Sequence, residues 1–284
     1  MRMGNNAFFL NTILLGGSST EAKLSAAKAA GFDQVELWRQ DVEAAGGDTK
    51  AIVAILKRLG LGLTDYQVLL DFDGAPDAIR EAKRAEALRM LDTAVAVGAN
   101  TLLTPACTRK DCVADRIEED LRWLAREAAQ RGLRVAYEAM AWSTINHYTP
   151  DAWQTLKNVG EKNLGMVIDA FHIFVRHRTA ADLEGIPAER IFLVQLSDLN
   201  HDLTRDTVVD TARHHRLLPG QGTFPLDAIL QALRAKSYAG PIGLEVFNDD
   251  LKAQDPNQAA RSAMTAFQSV VAKSMATNKP SQVA

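Results

Sequence analysis

Short apolar runs that stop on a polar side chain recur along the second half of this chain. The four clearest runs are residues 134–138, 164–169, 191–195 and 242–245. They finish, in that order, on Glu138, Asp169, Gln195 and Glu245. Apolar runs of this length are typical of strands buried on both faces. A buried carboxylate is rare unless it is paired or binds a metal. The repetition therefore predicts functional side chains at the ends of these strands.

Strands of this kind alternate with amphipathic segments over the whole chain. We predict eight strands, at residues 7–15, 34–38, 62–66, 101–104, 134–138, 164–169, 191–195 and 242–245. The predicted helices end at about 30, 59, 97, 131, 160, 184, 236 and 275, and residues 196–222 form a long polar loop. Strict alternation without a linker predicts a parallel sheet.

Eight such units fit a single (β/α)₈ TIM barrel over residues 1–276, followed by a polar tail at 277–284. The alternative is an open, doubly wound sheet, which usually carries a glycine-rich phosphate turn after its first strand. Gly16 and Gly17 lack that spacing, so we favour the barrel.

Composition and charge exclude several classes of partner. A net charge near −3, with Lys and Arg scattered along the chain, gives no basis for nucleic-acid binding. The apolar stretch at 7–15 is too short to span a membrane, and we interpret it as the first strand and not as an export signal. Cys107 and Cys112 lack the spacing of a zinc or redox motif. We therefore expect a cytoplasmic protein without a nucleic-acid or membrane partner, and the sequence leaves a homo-oligomer open.

The polar residues at the ends of strands five to eight predict a metal site. In a barrel these strands are neighbours, so Glu138, Asp169, Gln195 and Glu245 can converge on one point. Three carboxylates in a partly dry pocket repel one another unless a cation lies between them. Oxygen ligands favour Mg²⁺ or Mn²⁺, with Co²⁺ as a third candidate. The alternative is that each residue is an isolated salt-bridge partner.

Several segments of the chain resemble a known enzyme superfamily. They are 137–142 (YEAMAW), 168–172 (IDAFH), 192–198 (FLVQLSD), 213–216 (RHHR), 219–222 (PGQG) and 244–249 (LEVFND). Together they resemble the xylose-isomerase-like barrels of the sugar phosphate isomerase/epimerase superfamily and, within it, bacterial 3-dehydroshikimate dehydratases. Met140 departs from this pattern, because some of these dehydratases have a catalytic histidine at that position.

The resemblance implies a metal-dependent lyase that forms protocatechuate from 3-dehydroshikimate. A base removes the proton beside a ketone that the metal polarises, and the β-hydroxyl then leaves. His172 is the candidate base or proton shuttle, and its alternative role is to hold a metal ligand in place. A second hypothesis is an isomerase or epimerase that acts on a keto-sugar or inosose through the same first step. A third is a binding barrel that holds a metal without catalysis.

A carboxylated ketone as substrate needs cationic groups in the pocket. Arg213, His214 and Arg216 lie in the basic loop before the eighth strand, and arginine suits bidentate contact with a carboxylate. The alternative is a solvated surface loop. Glu36 and Tyr66 close strands two and three and are further candidates to line the substrate pocket, with a structural hydrogen-bonding role as the alternative.

Overall fold

Eight parallel strands close into a barrel in the computed structural model, which describes residues 5–17, 19–204 and 206–276. The strands are Phe8–Asn11 (β1), Gln34–Trp38 (β2), Gly62–Gln67 (β3), Thr101–Pro105 (β4), Arg134–Glu138 (β5), Leu164–Asp169 (β6), Ile191–Leu196 (β7) and Ile242–Leu244 (β8). β8 pairs with β1 through Ile242 and Phe8, which closes the sheet and excludes the open alternative. The predicted (β/α)₈ barrel is confirmed. The polar tail predicted at 277–284 lies outside the described residues.

Helices follow the strands and surround the barrel. They are Thr20–Ala30 (α1), Arg39–Ala44 (α2), Thr49–Leu59 (α3), Asp77–Val97 (α4), Ile117–Gln130 (α5), Thr149–Val159 (α6), Ala170–Phe174 (α7), Val208–His214 (α8), Leu226–Ala235 (α9), Asp249–Lys252 (α10) and Pro256–Ala276 (α11). The segment at 180–184 was predicted as a helix and forms a 3₁₀ turn, Ala180–Leu183. Within the described ranges, none of these helices is both long enough and apolar enough to cross a bilayer.

Cap residues explain why the long helices end where the sequence predicts. The Ser19 side chain accepts a hydrogen bond from the backbone N–H of Ala22 at the start of α1. Gly31 ends that helix with a φ of 99°, a left-handed conformation that glycine adopts without steric strain. Four helices were not predicted: α2, α7, α8 and α10. Each has only four to seven residues, too few for a helical period to show in the sequence.

The first strand is shorter than predicted. β1 ends at Asn11, and residues Thr12–Leu14 form a 3₁₀ turn. The Asn11 side chain causes this end locally, because its Oδ1 accepts a hydrogen bond of 3.0 Å from the backbone N–H of Ile13. The apolar residues after Asn11 therefore pack as a turn and do not extend the strand.

Two apolar layers support the barrel and leave its C-terminal end polar. The larger core lies between the strands and the helices, and Leu10 and Val35 belong to it. A small plug fills the barrel interior, and Phe9, Leu103 and Val167 belong to that plug. Since successive side chains of a strand point to opposite faces, the interior residues further along each strand are free to be polar.

Candidate metal centre

Four oxygen-bearing side chains meet at the C-terminal mouth of the barrel. Glu138 and Asp169 are the last residues of β5 and β6, and Gln195 lies opposite Asp169 in the register of β6 and β7. Glu245 directly follows β8, and its Oε1 lies 3.2 Å from Gln195 Nε2. All four are buried. The structure thus brings the four predicted ligands together, and their binding of a metal stays a prediction.

His172, on α7, lies against two of these carboxylates. Its Nε2 is 3.4 Å from Glu138 Oε1 and 3.5 Å from Asp169 Oδ2. Its Nδ1 accepts a hydrogen bond of 3.2 Å from the backbone N–H of Ala141, so a neutral ring carries its proton on Nε2. Burial lowers the pKa of His172 to about 4, and the charge of Asp169 opposes that shift. A neutral His172 therefore directs an N–H toward the two carboxylates, which suits a residue that holds ligands in place.

Arg216 is a buried ion-pair partner. The residue is 2% exposed. Its Nη1 donates to Asp169 Oδ2 at 2.9 Å and to Glu245 Oε2 at 3.3 Å. The ring centroids of Phe171 and Phe247 lie 4.3 and 5.1 Å from its Cζ. Arg216 therefore pairs with two carboxylates and also lines the cavity described below, and its contact with a substrate carboxylate stays a prediction.

A hydrogen-bond network on the barrel interior fixes Gln195 and Glu245. Gln195 Nε2 donates to Glu36 Oε1 at 2.9 Å and to Glu245 Oε1 at 3.2 Å. Asn11 Nδ2 donates to the same Glu245 oxygen at 2.9 Å, and Trp38 Nε1 donates to Asn11 Oδ1 at 2.5 Å. Glu36 is 0% exposed and does not line the cavity described below. The structure therefore agrees with the alternative considered for Glu36, a structural hydrogen-bonding role, because its carboxylate lies behind Gln195.

On β3 the interior position is occupied by Asp65 and not by Tyr66. Tyr66 lies on the outer face beside Glu43 and Thr93, and burial, followed by the charge of Glu43, raises its pKa to about 12. The prediction that Tyr66 lines the pocket is therefore wrong. Asp65 lies opposite Glu36 in the strand register, and burial is the main cause that raises the pKa of both carboxyls well above the usual range. An aspartate inside a strand was the sequence signal that could have identified Asp65.

A cavity of about 370 Å³ opens over the buried carboxylates. Its lining includes Glu138, His172, Arg216 and Glu245. The remaining wall is mostly apolar, with Trp38, Val68, Leu70, Met140, Trp142 and Phe247. A volume of this size and an apolar wall with a few convergent polar groups are typical of a small-molecule site.

Four further polar side chains line this cavity: Gln67, Arg213, His214 and Lys252. His214 Nδ1 lies 2.9 Å from Asp249 Oδ2. In the described part of the chain, no carboxylate lies within salt-bridge distance of Arg213 or Lys252. Lys252 had no sequence signal, because a single lysine in a four-residue helix belongs to no motif. The structure thus places Arg213 and His214 at the pocket and adds Lys252, and their contact with substrate stays a prediction.

Comparison with known proteins identifies a family for this barrel. The sequence model of the xylose isomerase-like TIM barrel family matches residues 24–270. The chain belongs to this family. The resemblance predicted from the motifs is thereby confirmed.

The relatives of this xylose isomerase-like barrel include two kinds of enzyme. A 3-dehydroshikimate dehydratase of Pseudomonas aeruginosa is 35% identical over 246 residues, which cover 85% of this chain and 38% of that protein. An inosose isomerase of Halalkalibacterium halodurans is 27% identical over 191 residues, covering 65% of this chain and 66% of that protein. The solved structure of a xylose isomerase-like TIM barrel/4-hydroxyphenylpyruvate dioxygenase fusion protein matches with a TM-score of 0.90 and 28% identity, covering 99% of this chain and 45% of that chain. The chain therefore spans less than half the length of the dehydratase and of the fusion protein.

The donor set of this xylose isomerase-like barrel fits a hard divalent cation. Glu138 Oε1 and Gln195 Oε1 are buried, and neither accepts a hydrogen bond from a described residue. Burial raises the pKa of both Glu138 and Glu245 to about 8, and the charge of Asp169 adds to the shift of Glu138. The carboxylate oxygens that Glu138 and Asp169 offer lie within 4.8 Å of each other and of a ring nitrogen of His172. A divalent cation would satisfy the two unpartnered oxygens and relieve the repulsion between the carboxylates.

Proposed function

We propose that this chain is a metal-dependent lyase that converts 3-dehydroshikimate to protocatechuate. The observation that carries the proposal is a cavity that combines buried oxygen donors with two cations, Arg213 and Lys252, that lack carboxylate partners among the described residues. This combination fits a small molecule that carries both a ketone and a carboxylate. The reaction removes one water and needs no oxidant or reductant.

In this proposal Glu138, Asp169, Gln195 and Glu245 would hold the cation, and their oxygen ligands favour Mg²⁺ or Mn²⁺, with Co²⁺ as a third candidate. When bound, the cation supplies a Lewis acid that polarises the substrate ketone. Arg216 keeps Asp169 and Glu245 close together through its hydrogen bonds to both. The protein thereby holds the carboxylates at the cavity with a compensating positive charge.

Arg213 and Lys252 orient the substrate through its carboxylate. Lys252 lies over the ring of Phe247, with Nζ 5.7 Å from the ring centroid. Burial lowers the pKa of Lys252, because its ammonium group is partly removed from water. A charge-assisted hydrogen bond in such a place is stronger than one in open solvent. Lys252 therefore takes the role that the sequence suggested for Arg216.

Two histidines line the cavity, and their hydrogen bonds favour different roles. Because His214 Nδ1 faces Asp249, a neutral His214 carries its proton there and has a free lone pair on Nε2. We assign the proton transfer to His214. Its Nε2 takes the proton from the carbon beside the ketone and returns it to the departing β-hydroxyl, which leaves as water. His172 then has the alternative role considered for it, to hold Glu138 and Asp169 in place.

The second candidate function is an inosose isomerase or a related epimerase. The inosose isomerase among the relatives favours it, because both reactions begin by removing a proton beside a ketone. The two candidates differ in their demand for positive charge. An inosose has no carboxylate, so an isomerase site has no use for Arg213 and Lys252 as a substrate anchor.

The direct test is to incubate the purified protein with 3-dehydroshikimate in the presence of Mg²⁺, Mn²⁺ or Co²⁺ and follow protocatechuate by absorbance. We expect product with at least one cation, no product after treatment with a chelator, and recovery when the cation is added back. A parallel incubation with an inosose is followed by chromatography of the products. Turnover of the inosose without any protocatechuate from 3-dehydroshikimate would overturn the lyase proposal in favour of the isomerase.

A further inference from the structure

Gln195 is an unusual member of the proposed ligand set, because only one end of its side chain can bind a cation. The amide oxygen is an acceptor and the amide nitrogen is a donor, and the two are almost identical in shape. A rotation of 180° about the last bond would turn the nitrogen toward the cation. Carboxylate ligands such as Glu138 and Asp169 do not have this problem, since their two oxygens are equivalent.

The surroundings of Gln195 distinguish between the two orientations. Its Nε2 donates to Glu36 Oε1 at 2.9 Å and to Glu245 Oε1 at 3.2 Å, which uses both of its N–H groups. Its Oε1 is buried and accepts no hydrogen bond from a described residue. In the rotated amide, the oxygen would face two carboxylate oxygens and both hydrogen bonds would be lost.

Glu36 accepts the shorter of the two hydrogen bonds from Gln195. The need to fill space in the core does not explain why a glutamate occupies this position. The residue is completely buried, and its Oε2 accepts no hydrogen bond within the described ranges. No Lys, Arg or His of the described chain lies within salt-bridge distance of it. An apolar side chain would fill the same space without the desolvation cost of a carboxyl group. Its carboxyl oxygens face two side chains: Gln195, which donates a hydrogen bond to Oε1, and the buried carboxyl of Asp65 on the neighbouring strand. Asp65 is a second buried acid, so it offers Glu36 no compensating charge, and Gln195 is the neighbour that points to the proposed metal ligands.

We propose that Glu36 is a positioning residue for Gln195, whose amide nitrogen it holds so that the amide oxygen is presented to the divalent cation. The inference rests on the proposed metal centre and not on the identity of the substrate. It does not depend on the charge of Glu36, because both a carboxylate and a carboxylic acid can accept a hydrogen bond through Oε1. From the sequence, Glu36 was a candidate to line the substrate pocket. In the structure it contacts the proposed ligand Gln195 and does not line the cavity.

The test compares the affinity of purified variants for Mn²⁺, measured by calorimetry or from the electron paramagnetic resonance of the free ion. Glu36→Met removes the acceptor and keeps an unbranched side chain of similar length. We expect Mn²⁺ to bind about 10- to 100-fold more weakly, the usual effect of losing a residue that orients a metal ligand. Glu36→Gln keeps an acceptor oxygen, and its affinity should stay within about threefold of the original. Asp73→Asn changes an equally buried carboxyl that touches no proposed ligand, and we expect no change.

A second background separates orientation from packing. In Gln195→Glu the ligand has two equivalent oxygens and needs no orientation, and Glu36 now faces another carboxyl. Adding Glu36→Met to Gln195→Glu should therefore leave Mn²⁺ affinity unchanged or increase it. An equal loss in both backgrounds would show that Glu36 acts through packing, and it would overturn the proposal.

The Mn²⁺ measurements also separate this inference from the proposed function. A protein that binds Mn²⁺ with the expected pattern but releases no protocatechuate would refute the dehydratase and leave the role of Glu36 intact. If the original protein binds no Mn²⁺, the titration is repeated with Co²⁺ and Mg²⁺, and a protein that binds none of the three refutes both proposals. If it binds Mn²⁺ and Glu36→Met binds it equally well, only the role of Glu36 fails.

Discussion

The metal-free protein should lose stability as the pH rises from 6.5 to 8. Folding raises the pKa of Glu138 and Glu245 from an ordinary 4.5 to about 8. The stability that comes from such a carboxyl is complete below pH 4.5 and is lost as the pH rises through about 8, because the folded state binds the proton more tightly. His172 has the opposite sign. Its pKa falls from 6.5 to about 4, so its contribution rises between those values and is constant above 6.5.

The loss of unfolding free energy can be calculated for the pH range 6.5 to 8, where the buried carboxyls titrate and His172 no longer contributes. From 6.5 to 8 is about 1.5 pH units, and each unit corresponds to about 1.4 kcal/mol per proton, or about 2 kcal/mol in total. We count Glu138 and Glu245 as one proton, because the pKa of Glu245 is raised by burial and also by the charge of Glu138, so the two carboxyls do not titrate independently. The raised pKa values of Glu36 and Asp65 act in the same direction, so about 2 kcal/mol is the contribution of the Glu138–Glu245 pair alone. Asp73, with a pKa of about 7, adds to the loss at the start of the window. With an unfolding entropy of about 2.1 cal/mol/K per residue over 284 residues, 2 kcal/mol lowers the Tm by about 3–4 °C.

The assay is thermal unfolding in a chelator at pH 6.5 and 8, followed by fluorescence or circular dichroism. Glu245→Gln removes one of the coupled carboxyls, so the decrease in Tm between the two pH values should become smaller. Added Mn²⁺ should reverse the trend, because a cation binds the ionised carboxylates and its stabilisation grows with occupancy. A metal-free protein whose Tm stays constant or rises over this window would refute the reasoning.

Two further predictions concern the cavity. Lys252→Met should lower kcat/KM for 3-dehydroshikimate about 10- to 100-fold, Arg213→Met should lower it about tenfold, and neither should impair turnover of an uncharged inosose. Equal losses with both substrates would argue against a carboxylate anchor. His214→Asn should lower kcat by about 10²–10⁴ and keep the metal, whereas His172→Asn should lose metal affinity by about 10- to 100-fold. Metal content and kcat measured on the same samples check both expectations. If His172→Asn keeps its metal but loses kcat, and His214→Asn does not lose kcat, then His172 is the residue that transfers the proton.

The sequence by itself determined the architecture and the position of the proposed ligands. β2, β5 and β6 have the predicted bounds, because their apolar runs are short, continuous and limited by turn residues. Glu138, Asp169, Gln195 and Glu245 could be placed at one mouth because a barrel aligns the ends of its strands. The barrel and the ligand positions follow from the order of the strands alone and need no knowledge of which distant side chains touch. The family could also be recognised from the sequence, because its motifs are short continuous segments.

The tertiary structure alone decided the direction and the partners of the side chains. Tyr66 and Asp65 are neighbours in the sequence, and the register of β3 against β2 turns Asp65 inward and Tyr66 outward. Arg216 looks like a loop cation until the fold places its guanidinium between Asp169 and Glu245. Lys252 lies at the cavity because the short helix after β8 brings it there. A residue's partner depends on chain segments far away in the sequence, so hydrogen bonds and ion pairs of this kind leave no local pattern to detect.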